Sequence, residues 1–234
     1  MREFVKRNFP TLVVTYRDLQ IRWHRILRRS SRSHEAVFTE QLYQSNLWPI
    51  QESISGPGSD LAYTKPIRKE LPILAAELGV SSILDIPCGD FNWMQTVNFG
   101  SCKYIGADIV EELVSRNNQQ YASNGRKFIK LNIVNDELPT VDLILCRDLF
   151  VHLPYGDIVK ALHNIRKSRS KYLLTTSHLL TKKNHDILAG QYRPINLLIS
   201  PFSFPAPIRI IYEDVPEGYT NTGKTLSLWK VSDI

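Results

Sequence analysis

Ser82-Ile-Leu-Asp-Ile-Pro-Cys-Gly-Asp-Phe-Asn-Trp-Met94 is the stretch with the most chemistry to offer. Its apolar start reads as a buried strand that runs into a tight turn over Asp85–Asp90 and then into a helix. Gly89 lets the backbone approach a ligand closely, which any side chain would block. Roughly 20 residues further on, Asp108 ends a second strand, where an acidic side chain can accept both hydroxyls of a ribose. A turn glycine followed by a second-strand acid points to an adenosine-type cofactor better than either feature alone. The dinucleotide fingerprint GxGxxG is a poorer match. Its third glycine lets helix pack closely on strand, and here bulky Trp93 stands near the helix start instead.

Positioning such a turn takes a sheet. Ser82–Ile86, Lys103–Ala107, Lys127–Leu131, Val141–Cys146 and Tyr172–Thr176 are β-favouring runs of buried-strand length. Helical patterns lie between them, Ile109–Tyr121 as one and the face of Ile158, Leu162 and Ile165 as another. Strands alternating with helices imply βαβ units. Ile208–Glu213 and Leu226–Val231 can then close the chain as an antiparallel hairpin. The expected fold class is α/β, a mostly parallel Rossmann-like sheet with that hairpin at its C-terminal end.

The turn resembles the first motif of class I S-adenosylmethionine (SAM)-dependent methyltransferases, from about Leu71 through Ser177. It departs from the usual GxGxG, because Pro87 and Phe91 replace two glycines and only Gly89 survives. The Pro-Cys-Gly-Asp-Phe-Asn-Trp version is similar to a smaller bacterial group, many of whose members are associated with surface-polysaccharide biosynthesis. The resemblance implies SAM as cofactor, lined by Asp85, Pro87, Cys88, Gly89, Asp90, Trp93, Asp108, Ile109, Asn132 and Arg147. It implies too that the loop Cys146-Arg-Asp-Leu-Phe-Val-His-Leu-Pro154 borders the site of methyl transfer. Asp148 and His152 thereby become the catalytic candidates. His152 suits a general base for a hydroxyl, since its unperturbed pKa lies near the operating pH. It could equally cap the helix that begins near Tyr155.

Two further segments could hold the acceptor. In Ser55-Gly-Pro-Gly-Ser-Asp60 the glycines free amides to face an anion, Ser59 or Asp60 can cap the next helix, and Thr64 and Arg68 follow on it. The long segment from Gly190-Gln-Tyr-Arg-Pro194 to Phe202-Ser-Phe-Pro-Ala-Pro207 could form a lid bearing Tyr192, Arg193, Asn196 and Phe202, or could simply cover the sheet. His178, just past the fifth strand candidate, completes the expected acceptor set.

Composition limits the alternatives. With 43% hydrophobic and 22% charged residues, the 234-residue chain has a soluble protein's balance. It shows neither a transmembrane-length apolar run nor a signal-peptide start. Cys88, Cys102 and Cys146 show no CxxC spacing, and the histidines form no cluster, so reduced cysteines and no metal are expected. Of the formal +6 net charge, the first 33 residues carry about +7. Leu12, Tyr16, Leu19, Trp23, Ile26 and Leu27 fall on one face of a helix there, beside arginines. Residues 1–33 therefore read as a basic amphipathic helix and linker ahead of a 34–234 domain. Through residues 12–29 that helix could meet an anionic membrane surface or a protein, or pack on its own domain. A nucleic-acid backbone as partner is disfavoured, because the basic charge is confined to this appendage. The expected function is cytoplasmic O-methylation of a sugar or phosphate-type group, in a small-molecule or glycan acceptor, for capsule or O-antigen biosynthesis. An RNA or protein methyltransferase recruited by the N-terminal helix, and a non-catalytic SAM-fold module, stay open.

Overall fold

The computed structural model describes residues 34–39, 52–214 and 220–234. The amphipathic helix and linker expected over residues 1–33 lie outside them. After a short helix α1 (His34–Phe38), the elements are α2 (Leu61–Glu77), β1 (Ser82–Asp85), β2 (Lys103–Asp108) and α3 (Glu111–Tyr121). They continue as β3 (Arg126–Lys130), β4 (Leu143–Cys146), α4 (Tyr155–Lys167), β5 (Tyr172–His178), β6 (Arg209–Tyr212) and β7 (Lys224–Lys230). All seven expected strands form, each within a few residues of its expected bounds. Among the described residues, no helix is long and apolar enough to cross a membrane.

The strands build one sheet in the order β3-β2-β1-β4-β5-β7-β6. β1 pairs in parallel with β2 and β4, β4 with β5, and β2 with β3, while β7 runs antiparallel between β5 and β6. Side chains alternate across it, so the central strands are apolar on both faces. Leu84, Ile144 and Leu173 pack against Ile158, Ala161, Leu162 and Ile165, which form one face of α4. On the other side, Ile83, Leu143, Leu145, Leu174, Leu226 and Leu228 join a cluster with Ile67, Leu71 and Leu74 of α2.

Strand order reverses between β1 and β4, and ligands of open α/β sheets bind beyond the carboxyl ends of strands at such a switch. Because β7 is antiparallel, its first residue Lys224 and the end of β6 arrive at that same edge.

Two expectations change. The turn after β1 opens no α-helix, only a single 3-10 turn over Met94–Thr96. Phe91 adopts φ 61° and buries its ring against Tyr104, Tyr121 and Phe128, and Trp93 and Met94 are buried as well. With Phe91, Trp93 and Met94 all turned into the core, the spacing of buried residues no longer leaves the one-sided pattern of a surface helix. Nor is the segment between β5 and β6 a free lid. Ile195, Leu197 and Phe204 are core residues, Ile195 accepts the His178 amide, and the Asn184 and Asn196 side chains hydrogen-bond its own main chain.

Candidate functional site

The turn after β1 is wired to β2 through backbone and carboxylate. Cys88 N–H donates to the Ala107 carbonyl at 2.8 Å, and Gly89 N–H donates to Asp108 Oδ2 at 3.0 Å. Asp108 Oδ1 accepts from Val110 N–H, also at 3.0 Å. Burial raises the Asp108 pKa, while the backbone N–H donors of Val110, Gly89 and Ile109 pull it down. A carboxylate offers about four lone-pair sites, so with these three donors in place it keeps room for a further one. Gly89 itself has φ +54°, and a Cβ there would stand 2.3 Å from Ser55 Oγ, so neither backbone nor space admits another residue. Asp85, at the end of β1, accepts the Tyr104 hydroxyl at 2.5 Å. Burial pushes its carboxyl up to about 7, against the pull of that hydroxyl and of Arg147.

Pro87 and Ile109 flank this turn half-buried, and Cys88 is buried beside Asn117. Asn132, half-buried beyond β3, closes its own turn by accepting Val134 N–H at 2.9 Å. Asp85, Gly89, Asp108 and Asn132 thus stand at or just beyond the carboxyl ends of β1, β2 and β3.

Asp90 does something else. Its carboxylate accepts Ser53 Oγ (2.9 and 3.0 Å), Ile54 N–H (2.9 Å) and Ser55 Oγ (3.2 Å), which fastens the Ser/Gly loop down onto the turn. Most of the loop's amides, and the Ser55 hydroxyl, are therefore engaged by protein. Asp60 occupies the N-cap of α2 without a side-chain cap hydrogen bond, and Ser59 offers its carbonyl to Asn92. The buried Thr64 hydroxyl bonds back to Asp60 and Leu61 carbonyls within its helix. Arg68 turns to the Leu61 carbonyl and Thr96 Oγ1, away from the anion-binding role expected of it.

A second cluster occupies the ends of β4, β5 and the hairpin. Arg147 is buried with its guanidinium 5.5 Å over the Trp93 ring, so both residues expected at the cofactor are packed together. Its Nη2 reaches Glu213 Oε2 at 2.5 Å and the Gly58 carbonyl at 2.8 Å. Asp148, at φ 56°, receives Lys224 Nζ at 2.6 Å and Arg147 Nη1 at 3.3 Å. Burial alone would raise the Asp148 pKa, but Lys224 and Arg147 overrule it and hold the carboxylate ionised. A permanently ionised, doubly paired carboxylate is a weak proton acceptor, which leaves His152 as the base candidate.

His152 lies in the 3-10 turn Phe150–His152, and Pro154 holds the N-cap of α4, so a capping role for the histidine is ruled out. Its Nδ1 contacts the Gln191 carbonyl at 3.0 Å, and the Tyr192 ring lies 5.7 Å away. Burial lowers the pKa below 6.5, opposed by the Gln191 carbonyl and Asp148. Tyr192 also meets His178 at 6.5 Å. Arg193, in contrast, is buried with NH groups on the carbonyls of His185, Phe150 and Leu153, and Phe202 packs edge-on against Tyr155. Of the expected acceptor set, the structure gathers His152, Asp148, His178 and Tyr192 at one edge. The side chains of Thr64, Arg68, Arg193 and Phe202 make contacts within the fold instead, and Ser59 gives its carbonyl to Asn92. Glu213 and Lys224 were not anticipated, nor was Thr176, whose hydroxyl accepts the Asp148 amide at 2.8 Å. Each lies at or near a strand end, but which strand ends share an edge depends on sheet order.

His178 should make the protein sensitive to acid. Its Nδ1 pairs with Thr222 Oγ1 at 2.6 Å, its Nε2 is buried without a partner, and burial pulls its pKa down to about 4. Between pH 6.5 and 4 the unfolded chain therefore binds a proton here that the folded chain refuses, and stability falls with pH. At 1.36 kcal/mol per unit the loss reaches about 3 kcal/mol at pH 4. Asp85 works the other way, its raised pKa favouring the folded state as pH falls from 7, so wild-type stability alone conceals the effect. Urea midpoints of wild type and His178→Asn should diverge as pH falls from 6.5 to 4, in favour of the variant. Parallel curves would disprove it.

No protein-family model matches this sequence, and no curated protein does either. Solved structures do, and they define the class of fold as the Rossmann-like class I methyltransferase fold. Among them is magnesium protoporphyrin IX methyltransferase (ChlM) from Synechocystis PCC 6803 with bound SAM. It is 13% identical over 86% of this chain and 99% of that one, with TM-score 0.56. The methyltransferase domain of bacterial CtHen1-CN is 8% identical over 73% of this chain and 100% of that one, at TM-score 0.53. The pyocyanin biosynthetic protein PhzM is 12% identical over 71% and 55% respectively, also at 0.53. At such identities the likeness is one of fold.

Proposed function

We propose that this chain is a SAM-dependent methyltransferase whose cofactor lies across the carboxyl ends of β1, β2 and β3, with its acceptor at the ends of β4, β5 and β7. The observation that carries the reading is Asp108. It is a buried carboxylate at the end of β2, beside the sheet's switch point and tied to the amide of the turn glycine. The donor set fits the cofactor. Asp108 can accept ribose hydroxyls, Asn132 can reach an adenine edge beyond β3, and Asp85 adds acceptor character near the cationic methionyl end. When bound, SAM supplies a methyl group on a cationic sulfur. The chain's own task is to hold an acceptor oxygen in line with it, and to take up a proton where the acceptor has one.

The finer reading draws on the Pro-Cys-Gly-Asp-Phe-Asn-Trp turn, with its resemblance to polysaccharide-associated enzymes. On that basis the acceptor is an oxygen of a sugar or phosphate-type group. Calorimetry with SAM, S-adenosylhomocysteine and NAD tests the cofactor. Micromolar SAM binding should weaken about 10- to 100-fold in Asp108→Ala, the size of lost hydrogen bonds to a charged group. Tight NAD binding, or no binding of SAM or its product by wild type, would sink the proposal.

A further inference from the structure

We infer that the group methylated at this edge is an uncharged hydroxyl, which brings its own proton to His152, and not an oxygen that is already anionic. The inference rests on the methyltransferase reading and narrows its acceptor.

The first support is a closed ring of charge. Arg147 pairs with Glu213 at 2.5 Å and Asp148 at 3.3 Å, and Lys224 pairs with Asp148 at 2.6 Å and Glu213 at 3.4 Å. Two cations and two carboxylates sum to zero. The side chains of Glu213 and Arg147 are 0% and 6% exposed, so neither can swing out to greet a ligand. An anionic acceptor would have to displace a carboxylate from its cation, and breaking such a buried pair is costly. An uncharged acceptor leaves the ring intact.

The second support is the tautomer of His152. A carbonyl oxygen can only accept, so the contact with Gln191 O at 3.0 Å puts the proton on Nδ1. In the neutral ring, Nε2 then presents a lone pair. That lone pair attracts an O–H group and repels an anionic oxygen. The groups facing the ring maintain this state. Burial opposes the imidazolium most, helped by Arg193 and Lys224 and outweighing the Gln191 carbonyl and Asp148, which favour it, while the Phe38 and Tyr192 rings contribute no charge. His178, the second histidine beside Tyr192, is neutral as well.

The step these groups allow balances. The acceptor's O–H bond breaks as its proton passes to Nε2, and the oxygen's electron pair forms the bond to the methyl carbon. The electrons of the old C–S bond return to sulfur, leaving a neutral thioether, an ether and an imidazolium that later gives its proton to water. One positive charge enters with the methyl donor and one leaves with the proton.

The test uses the full chain saturated with S-adenosylhomocysteine, its ring nitrogens observed by 15N NMR. His152→Gln and His178→Asn assign the two signals. At neutral pH, His152 is expected with Nδ1 protonated and Nε2 bare, titrating below 6.5. Added methyl phosphate or acetate should leave both histidine signals in place. A proton on Nε2, or an anion that moves both signals and raises the His152 midpoint, overturns the inference while the methyltransferase reading stands. Failure to bind S-adenosylhomocysteine at all removes that reading, and the inference with it.

Discussion

Glu213→Ala is expected to lower the free energy of unfolding by about 3–5 kcal/mol, the cost of removing one partner from a buried ion pair. Glu213 receives both Nε and Nη2 of Arg147, at 3.1 and 2.5 Å, in a place without solvent. Burial alone would depress the guanidinium pKa, but Glu213, ahead of Asp148, reverses that and holds it above its ordinary value. Without Glu213, Arg147 keeps the Gly58 carbonyl, Asp148, the Trp93 face and the more distant Asp85, and the cluster gains a positive charge. A urea midpoint unchanged within error would show that the pair contributes nothing. Glu213→Leu combined with Arg147→Met should cost far less than the single changes summed, because the double variant leaves no orphaned charge.

His152→Gln should reduce kcat by about 10²–10⁴-fold on whatever acceptor SAM turnover identifies, the usual contribution of a positioned proton acceptor. SAM affinity should not change, since the described contacts of His152 are to Gln191, Phe38 and Tyr192 and none is to the β1–β2 turn. The pH dependence carries a sign. The base works when neutral, so the wild-type rate should climb with pH through a midpoint below 6.5 and stay level through neutrality. The variant should lose that limb. A variant with full kcat and the same pH profile would assign proton removal elsewhere. Loss of SAM binding would show instead that the substitution has disturbed the fold.

The fold was largely legible because its central strands are apolar on both faces. Leu143–Cys146 is buried at every position, and such runs cannot be mistaken for one-sided helices of ordinary length. The turn was half legible. Gly89 and Asp108 declare themselves by local spacing, but the missing helix after it depended on Phe91 finding an aromatic nest from β2, α3 and β3. The charged cluster was the least legible part. Arg147 and Glu213 are 66 residues apart, and nothing local says that β6 and β7 bring Glu213 and Lys224 to the edge where β4 ends. Arg193 misleads for a related reason. An arginine in a loop suggests an anion ligand, yet this one saturates three main-chain carbonyls.

That arginine ties together two stretches of chain that sequence keeps apart. The 3-10 turn bearing His152 offers four successive carbonyls, from Phe150 to Leu153. Arg193 Nη1, Arg193 N, Gly190 N and Arg193 Nη2 take them in that order. Gln191 completes the join by orienting the imidazole. The loop after β4 and the segment after β5 are therefore one heritable module. A chimera that trades only one of them with another protein of this fold would strand those carbonyls and let the histidine ring turn. Changes at this edge must alter both halves in step, or fall only on residues outside the splice, such as exposed Tyr192.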